Sequence, residues 1–159
     1  MIFVTLGSQK FQFNRLLIEI DRLVDEGKIN EEVFAQIGYS DYKPKNYEYK
    51  EFLDRDEFTN IMLMCNKVIT HGGTGAIIGA IKNGKKVIAV PRLAKFNEHV
   101  DDHQLQIITE FNEMNLIKGV NEVNEIYEAL QKLKVIEFKE YVSNTKKIIN
   151  EIEKFIIAF

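Results

Sequence analysis

A chain of 159 residues, 45% of them hydrophobic, can bury one core of ordinary size and is too short for two such domains. Its formal net charge of −3, with lysines and glutamates interspersed, excludes the concentrated basic surface of a nucleic-acid binder. Cys65 is the one cysteine, so no intrachain disulfide forms, and no apolar run approaches the roughly 20 residues that cross a bilayer. The opening is strand-like rather than basic and then long and apolar, which points to the cytoplasm, with membrane contact peripheral or borrowed from a partner.

Strand-like and helix-like stretches alternate from end to end. The pattern predicts an α/β fold: a Rossmann-like parallel sheet with helices on both faces, in one domain over 1–159. A first strand over 2–6 turns at Gly7-Ser8 into an amphipathic helix over 13–25, whose apolar face is Leu16, Leu17, Ile20 and Leu23/Val24. A short strand over 33–37 follows, then an irregular Lys- and Tyr-rich loop over 38–49, then a helix capped by Asp54 or Asp56 and running to about Cys65. Residues 68–91 read as one βαβ unit, with the turn His71-Gly72-Gly73-Thr74-Gly75 between two β-branched apolar runs. Beyond Pro91 the pattern predicts a helix over 100–114, a strand over 116–120, a helix over 123–133 and a terminal helix from 138 to 159.

The glycine turn carries the clearest chemistry. Its glycines allow close backbone approach, and the helix behind it aims unpaired N–H groups and a positive dipole end at whatever lies there. A diphosphate suits such a place. His71, at the end of a buried strand, can donate to a phosphate oxygen or serve as a satisfied structural residue. Thr74 can meet phosphate or cap the helix. His99 and His103 stand four apart, the spacing of a helical zinc pair, but Val100 occupies the place of the glutamate that follows the first histidine in a metalloprotease, and no metal is expected. Leu6-Gly7-Ser8-Gln9-Lys10 lacks the Gly-x-Gly-x-x-Gly of a dinucleotide oxidoreductase.

Together these residues resemble the C-terminal, nucleotide-sugar-binding domain of GT-B glycosyltransferases of the family 28 type, over nearly the whole chain. Gly7-Ser8 resembles that domain's opening glycine loop, His71 to Gly75 its diphosphate loop, and Glu98-His99-Val100-Asp101-Asp102-His103-Gln104 its sugar-reading segment. Among members, the chain most resembles small single-domain subunits of split transferases: the catalytic subunit of the dolichol-linked N-acetylglucosaminyltransferase, and bacterial capsule and exopolysaccharide β-1,4-glycosyltransferase subunits.

The resemblance implies a UDP-sugar donor held by Gly7, Ser8, His71, Gly72, Gly73, Thr74 and Gly75, with Asp102 and Gln104 reading sugar hydroxyls. Glu98 is expected to face the same cleft, and Arg92 to pair with phosphate or a uronate carboxylate or else to lie on the surface. It further implies a membrane-associated partner that binds a lipid-linked saccharide acceptor and supplies the general base, with no cofactor and no metal. Galactose is the sugar the resemblance favours; N-acetylglucosamine, glucuronic acid and a non-catalytic enhancer role are the alternatives. Gly79 stands where many such domains carry a ribose-binding glutamate. Asp54-Arg55-Asp56 imitates the metal motif of GT-A enzymes, but its place before a helix favours capping. The stripe Phe138, Tyr141, Val142, Thr145, Ile148/Ile149, Ile152, Phe155/Ile156 and Phe159 is apolar on more than one side toward its end, which suggests docking on a partner or a second copy.

Overall fold

In a computed structural model, which describes residues 1–157, six parallel strands form one sheet in the order β3-β2-β1-β4-β5-β6. The strands are β1 (Ile2–Thr5), β2 (Val33–Gln36), β3 (Glu48–Lys50), β4 (Lys67–His71), β5 (Lys86–Val90) and β6 (Lys118–Gly119). The helices are α1 (Asn14–Asp25), α2 (Arg55–Met64), α3 (Thr74–Lys82), α4 (His103–Glu113), α5 (Ile126–Lys132) and α6 (Thr145–Ile157). Every residue of β1 is buried, as is nearly every residue of β4 and β5. Continuous apolar runs are what a parallel sheet covered on both faces requires.

Successive side chains of a strand point to opposite faces, so the sheet separates two cores. Ile2 and Val4 of β1, Ile69 of β4 and Ile88 of β5 pack against Leu16, Leu17, Ile20 and Leu23 of α1 and Ile126, Ala129 and Leu130 of α5. Phe3, Val68 and Val87 face the other way, onto Met62 of α2, Ile77 and Ala80 of α3 and Ile108 of α4. Asp54 caps α2 through a reciprocal box: its carboxylate accepts from the Asp56 and Glu57 amides, and Glu57 Oε2 accepts from the Asp54 amide.

Several boundaries differ from the pattern, most of them for a physical reason. The loop expected over 38–49 ends in β3, an exposed edge strand, because buried Asp21 of α1 accepts from the Lys45 and Asn46 amides and the Tyr42 hydroxyl and lays the following residues beside β2. The helix expected from 100 begins at His103, since Asn97 takes a left-handed conformation and the Asp102 carboxylate accepts from the Ala94 amide, which bends 97–102 into a loop. The stretch 123–133 splits into a 3-10 turn and α5. The terminal helix begins at Thr145, not 138: Lys139 N–H bonds Asn115 O, and Phe138 and Tyr141 pack against the body. Helix α6 itself is exposed along its length. Phe159, the end of the apolar stripe, lies outside the described residues. No helix among the described residues is long and apolar enough to cross a membrane.

Candidate functional site

Strand β1 lies between β2 and β4, so the chain leaves β1 toward one edge and later returns beside it to build toward the other. At such a reversal the loops diverge and open a crevice outside the carboxyl ends of the strands. Three loops meet there: Leu6-Gly7-Ser8 after β1, Gly72-Gly73 after His71 at the end of β4, and Pro91-Arg92-Leu93 after β5.

His71 is buried, 7% exposed, and packed between two glycines. A Cβ on Gly7, whose φ is +71°, would stand 2.9 Å from His71 Cε1, and one on Gly73 would stand 2.3 Å from Nε2. Gly72 is required for a different reason, since a Cβ there would meet Gln104 Cβ at 2.7 Å. By contrast, a Cβ on Gly75 or Gly79 would meet nothing within 4 Å, so that face of α3 is open. Helix α3 starts with Gly73 as its cap residue and no side-chain cap, which leaves the amides of its first turn directed at the crevice. Thr74 is therefore the first helical residue rather than the cap, and it is exposed, as is Ser8.

Arg92 is 1% exposed and not on the surface. Its Nη2 donates to Leu6 O at 2.8 Å and Phe11 O at 3.2 Å, and the guanidinium lies 5.5 Å from the Phe13 ring centroid. Nε and Nη1 are buried with no partner. Burial pulls the Arg92 pKa down to about 10, so the group stays cationic at neutral pH. Burial first, and the Arg92 charge second, push His71 down to about 4. At neutral pH the loop thus holds a cationic arginine beside a neutral imidazole, with one N–H and one lone pair on the ring.

The segment after β5 is arranged differently from the expectation. Glu98 does not face the crevice: it is 1% exposed, with Oε1 accepting from Arg15 Nε at 2.7 Å and Oε2 from the Leu93 amide at 3.0 Å. Arg15 also donates to Pro91 O at 2.6 Å, and no local pattern marked it. Gln104 is 2% exposed, and its Oε1 accepts from both the Gly72 and Arg92 amides at 3.0 Å, tying the two loops together. The Gly72 amide is therefore engaged within the fold. Asp102 is exposed, with one carboxylate oxygen on the Ala94 amide at 2.7 Å. His99 and His103 are not a helical pair, because His99 lies in the loop and only His103 is in α4, yet the loop brings their rings to 5.0 Å with Asp101 beside both.

Structural relatives share this architecture. CalG4, the calicheamicin glycosyltransferase, is 20% identical with a TM-score of 0.63, over 86% of this chain and 34% of its own. The glycotransferase of kitacinnamycin is 15% identical with a TM-score of 0.62, over 85% of this chain and 35% of its own. SnogD from Streptomyces nogalater is 19% identical with a TM-score of 0.51, over 76% and 31%. At these identities the likeness speaks for the fold, and the chain spans about a third of the length of each. Comparison with curated protein sequences gives no match. The profile of the glycosyltransferase family 28 C-terminal domain, however, matches residues 1–157. With the parallel sheet, its open crevice and the uncapped glycine turn, that match establishes that the chain belongs to the glycosyltransferase family 28 C-terminal domain, the donor-binding half of a GT-B glycosyltransferase.

Proposed function

We propose that the chain is the donor-binding, catalytic subunit of a two-component inverting glycosyltransferase. It takes a sugar from a UDP-sugar, galactose in the first instance, and passes it to a lipid-linked saccharide in capsular or exopolysaccharide assembly. The acceptor site then lies on a membrane-associated partner that recruits this subunit to the inner face of the membrane. The observation that carries the reading is the uncapped start of α3, open at Gly75 and backed by a buried arginine with two unpaired nitrogens. A diphosphate matches both features, because its oxygens suit the free amides of the helix start and its negative charge suits the field of that helix start and of the buried guanidinium.

In this mechanism the amides of residues 73–76, the Thr74 hydroxyl and His71 hold the departing diphosphate, with Gly7 and Ser8 closing the site from β1. The acceptor hydroxyl attacks the anomeric carbon from the side opposite the diphosphate. Its C–O bond forms as the anomeric C–O bond to phosphate breaks, and the electron pair leaves on UDP. The positive field of the helix start and of Arg92 stabilises that charge as it develops. The hydroxyl proton passes to a base on the acceptor half. Asp102, at the mouth, is the residue of the 98–104 segment best placed to meet a sugar hydroxyl, while Glu98 and Gln104 hold the loops that shape the site.

UDP-N-acetylglucosamine and UDP-glucuronic acid are the alternative donors. A second reading, a non-catalytic subunit that enhances a transferase, is favoured by Gly79, where open space replaces the carboxylate that would grip a ribose. Calorimetric titration with UDP and UDP-sugars, with and without Mg2+, tests the donor site. The expected result is metal-independent binding lost in His71→Ala, with sugar transfer on mixing with the partner. Binding without transfer favours the enhancer, and no binding by the chain alone or by its complex overturns the donor site.

A further inference from the structure

The loop between β5 and α4 holds a cluster that sugar transfer as described does not use. His99 Nδ1 stands 3.1 Å from Asp101 Oδ1, and His103 Nδ1 contacts the same oxygen. One ligand atom from each of the three residues lies within 4.8 Å of the others. Helical spacing does not account for this, since His99 precedes the helix; the turn of the loop creates it.

Hydrogen bonding alone serves the cluster poorly. The Asp101 amide points at His99 Nδ1 at 3.4 Å, which calls for a lone pair on that nitrogen. Asp101 Oδ1 calls for a proton on the same atom. That oxygen also accepts from the His103 amide at 3.2 Å and faces two imidazoles. If His99 Nδ1 keeps its lone pair, two lone pairs meet across 3.1 Å, an arrangement that a cation between them turns from repulsive to attractive. The ligands are also held in place. The His99 side chain is 9% exposed, its ring 4.8 Å from that of Phe11 and 5.0 Å from that of His103. Asp102 anchors the loop through the Ala94 amide. Asp101 and His103 are about half exposed, which leaves a path from solvent.

We propose that His99, Asp101 and His103 form a binding site for a borderline divalent cation of the Zn2+, Co2+ or Ni2+ kind, with the remaining coordination positions open to water or ligand. Two imidazoles and one carboxylate suit these ions, whereas Mg2+ and Ca2+ prefer all-oxygen shells. A bound ion would fasten the loop to the first turn of α4, on the side of the sheet where the crevice opens. The site stands on its own geometry and does not depend on the identity of the donor sugar.

The test uses the full chain, freed of any affinity tag and of metal. Zn2+ is titrated calorimetrically, and Co2+ by its visible absorption. One equivalent is expected to bind, with visible Co2+ bands displaced by Zn2+ and not by Mg2+. His103→Ala and Asp101→Ala are each expected to weaken binding at least about tenfold. Both side chains are half exposed, so these variants keep the fold, which metal-free thermal unfolding verifies; Asp101→Asn serves should Asp101→Ala unfold. Failure to bind one equivalent at micromolar Zn2+ overturns the proposal, leaving a hydrogen-bonded cluster. So does binding that persists unchanged in both variants, which places the ion elsewhere.

Discussion

Replacing Gly75 by alanine separates the stability of α3 from the anion site that α3 opens. Gly75 is the second residue of the helix, and a Cβ there would meet nothing within 4 Å. Alanine is accommodated without strain, and because glycine loses more backbone freedom on folding, the exchange stabilises by about 0.5–1 kcal/mol. In a domain of this size that raises Tm by roughly 1–4 °C. The same methyl enters the space over the first-turn amides, where the diphosphate is placed, and UDP affinity is expected to fall at least about tenfold, or ~1.4 kcal/mol. Gly73→Ala should behave oppositely in stability. Its Cβ would stand 2.3 Å from Nε2 of the buried His71 ring, which must shift within a packed surrounding to admit it. Such overpacking costs about 1–3 kcal/mol. Thermal unfolding and UDP calorimetry on the two variants form the assay. A Gly75→Ala protein that binds UDP like the wild type, or that is destabilised, refutes the reasoning, and so does a Gly73→Ala protein as stable as wild type.

Two further outcomes follow from buried charge. His71 titrates at about 4 in the folded chain against 6.5 for the free side chain, because of burial and then the Arg92 charge. As pH drops from about 6.5 to about 4 the unfolded chain takes up a proton that the folded chain refuses, so stability falls across that window by up to about 3 kcal/mol and is unaffected by this group above it. Urea midpoints measured at pH 7 and pH 4.5 should therefore converge in His71→Asn relative to wild type; an unchanged pH dependence counts against the assignment. Glu98→Ala should cost about 3 kcal/mol, since it removes the buried carboxylate that pairs with Arg15 and leaves Arg15 Nε and the Leu93 amide without their acceptor. Glu98→Gln should cost less, and equal midpoints for both variants and wild type in urea would show that the brace contributes nothing.

What the sequence by itself determined is local. The apolar runs that became β1, β4 and β5, the apolar face of α1, the glycine turn ahead of α3 and the cap at Asp54, one of two candidates, depend on periodicity and on residues a few positions apart, and they formed where the pattern allowed them. Strand β3 carried no such signal, because an exposed edge strand of Glu48, Tyr49 and Lys50 needs no apolar run; a carboxylate on α1 positions it. The inward turn of Glu98 and Gln104, the burial of Arg92 and the meeting of His99, Asp101 and His103 were decided only by the tertiary structure. A charged or amide side chain reads alike in sequence whether it faces a ligand or braces the fold. Its direction is set by which distant groups the packed elements bring within reach, as with Arg15 and Glu98, 83 residues apart in the chain.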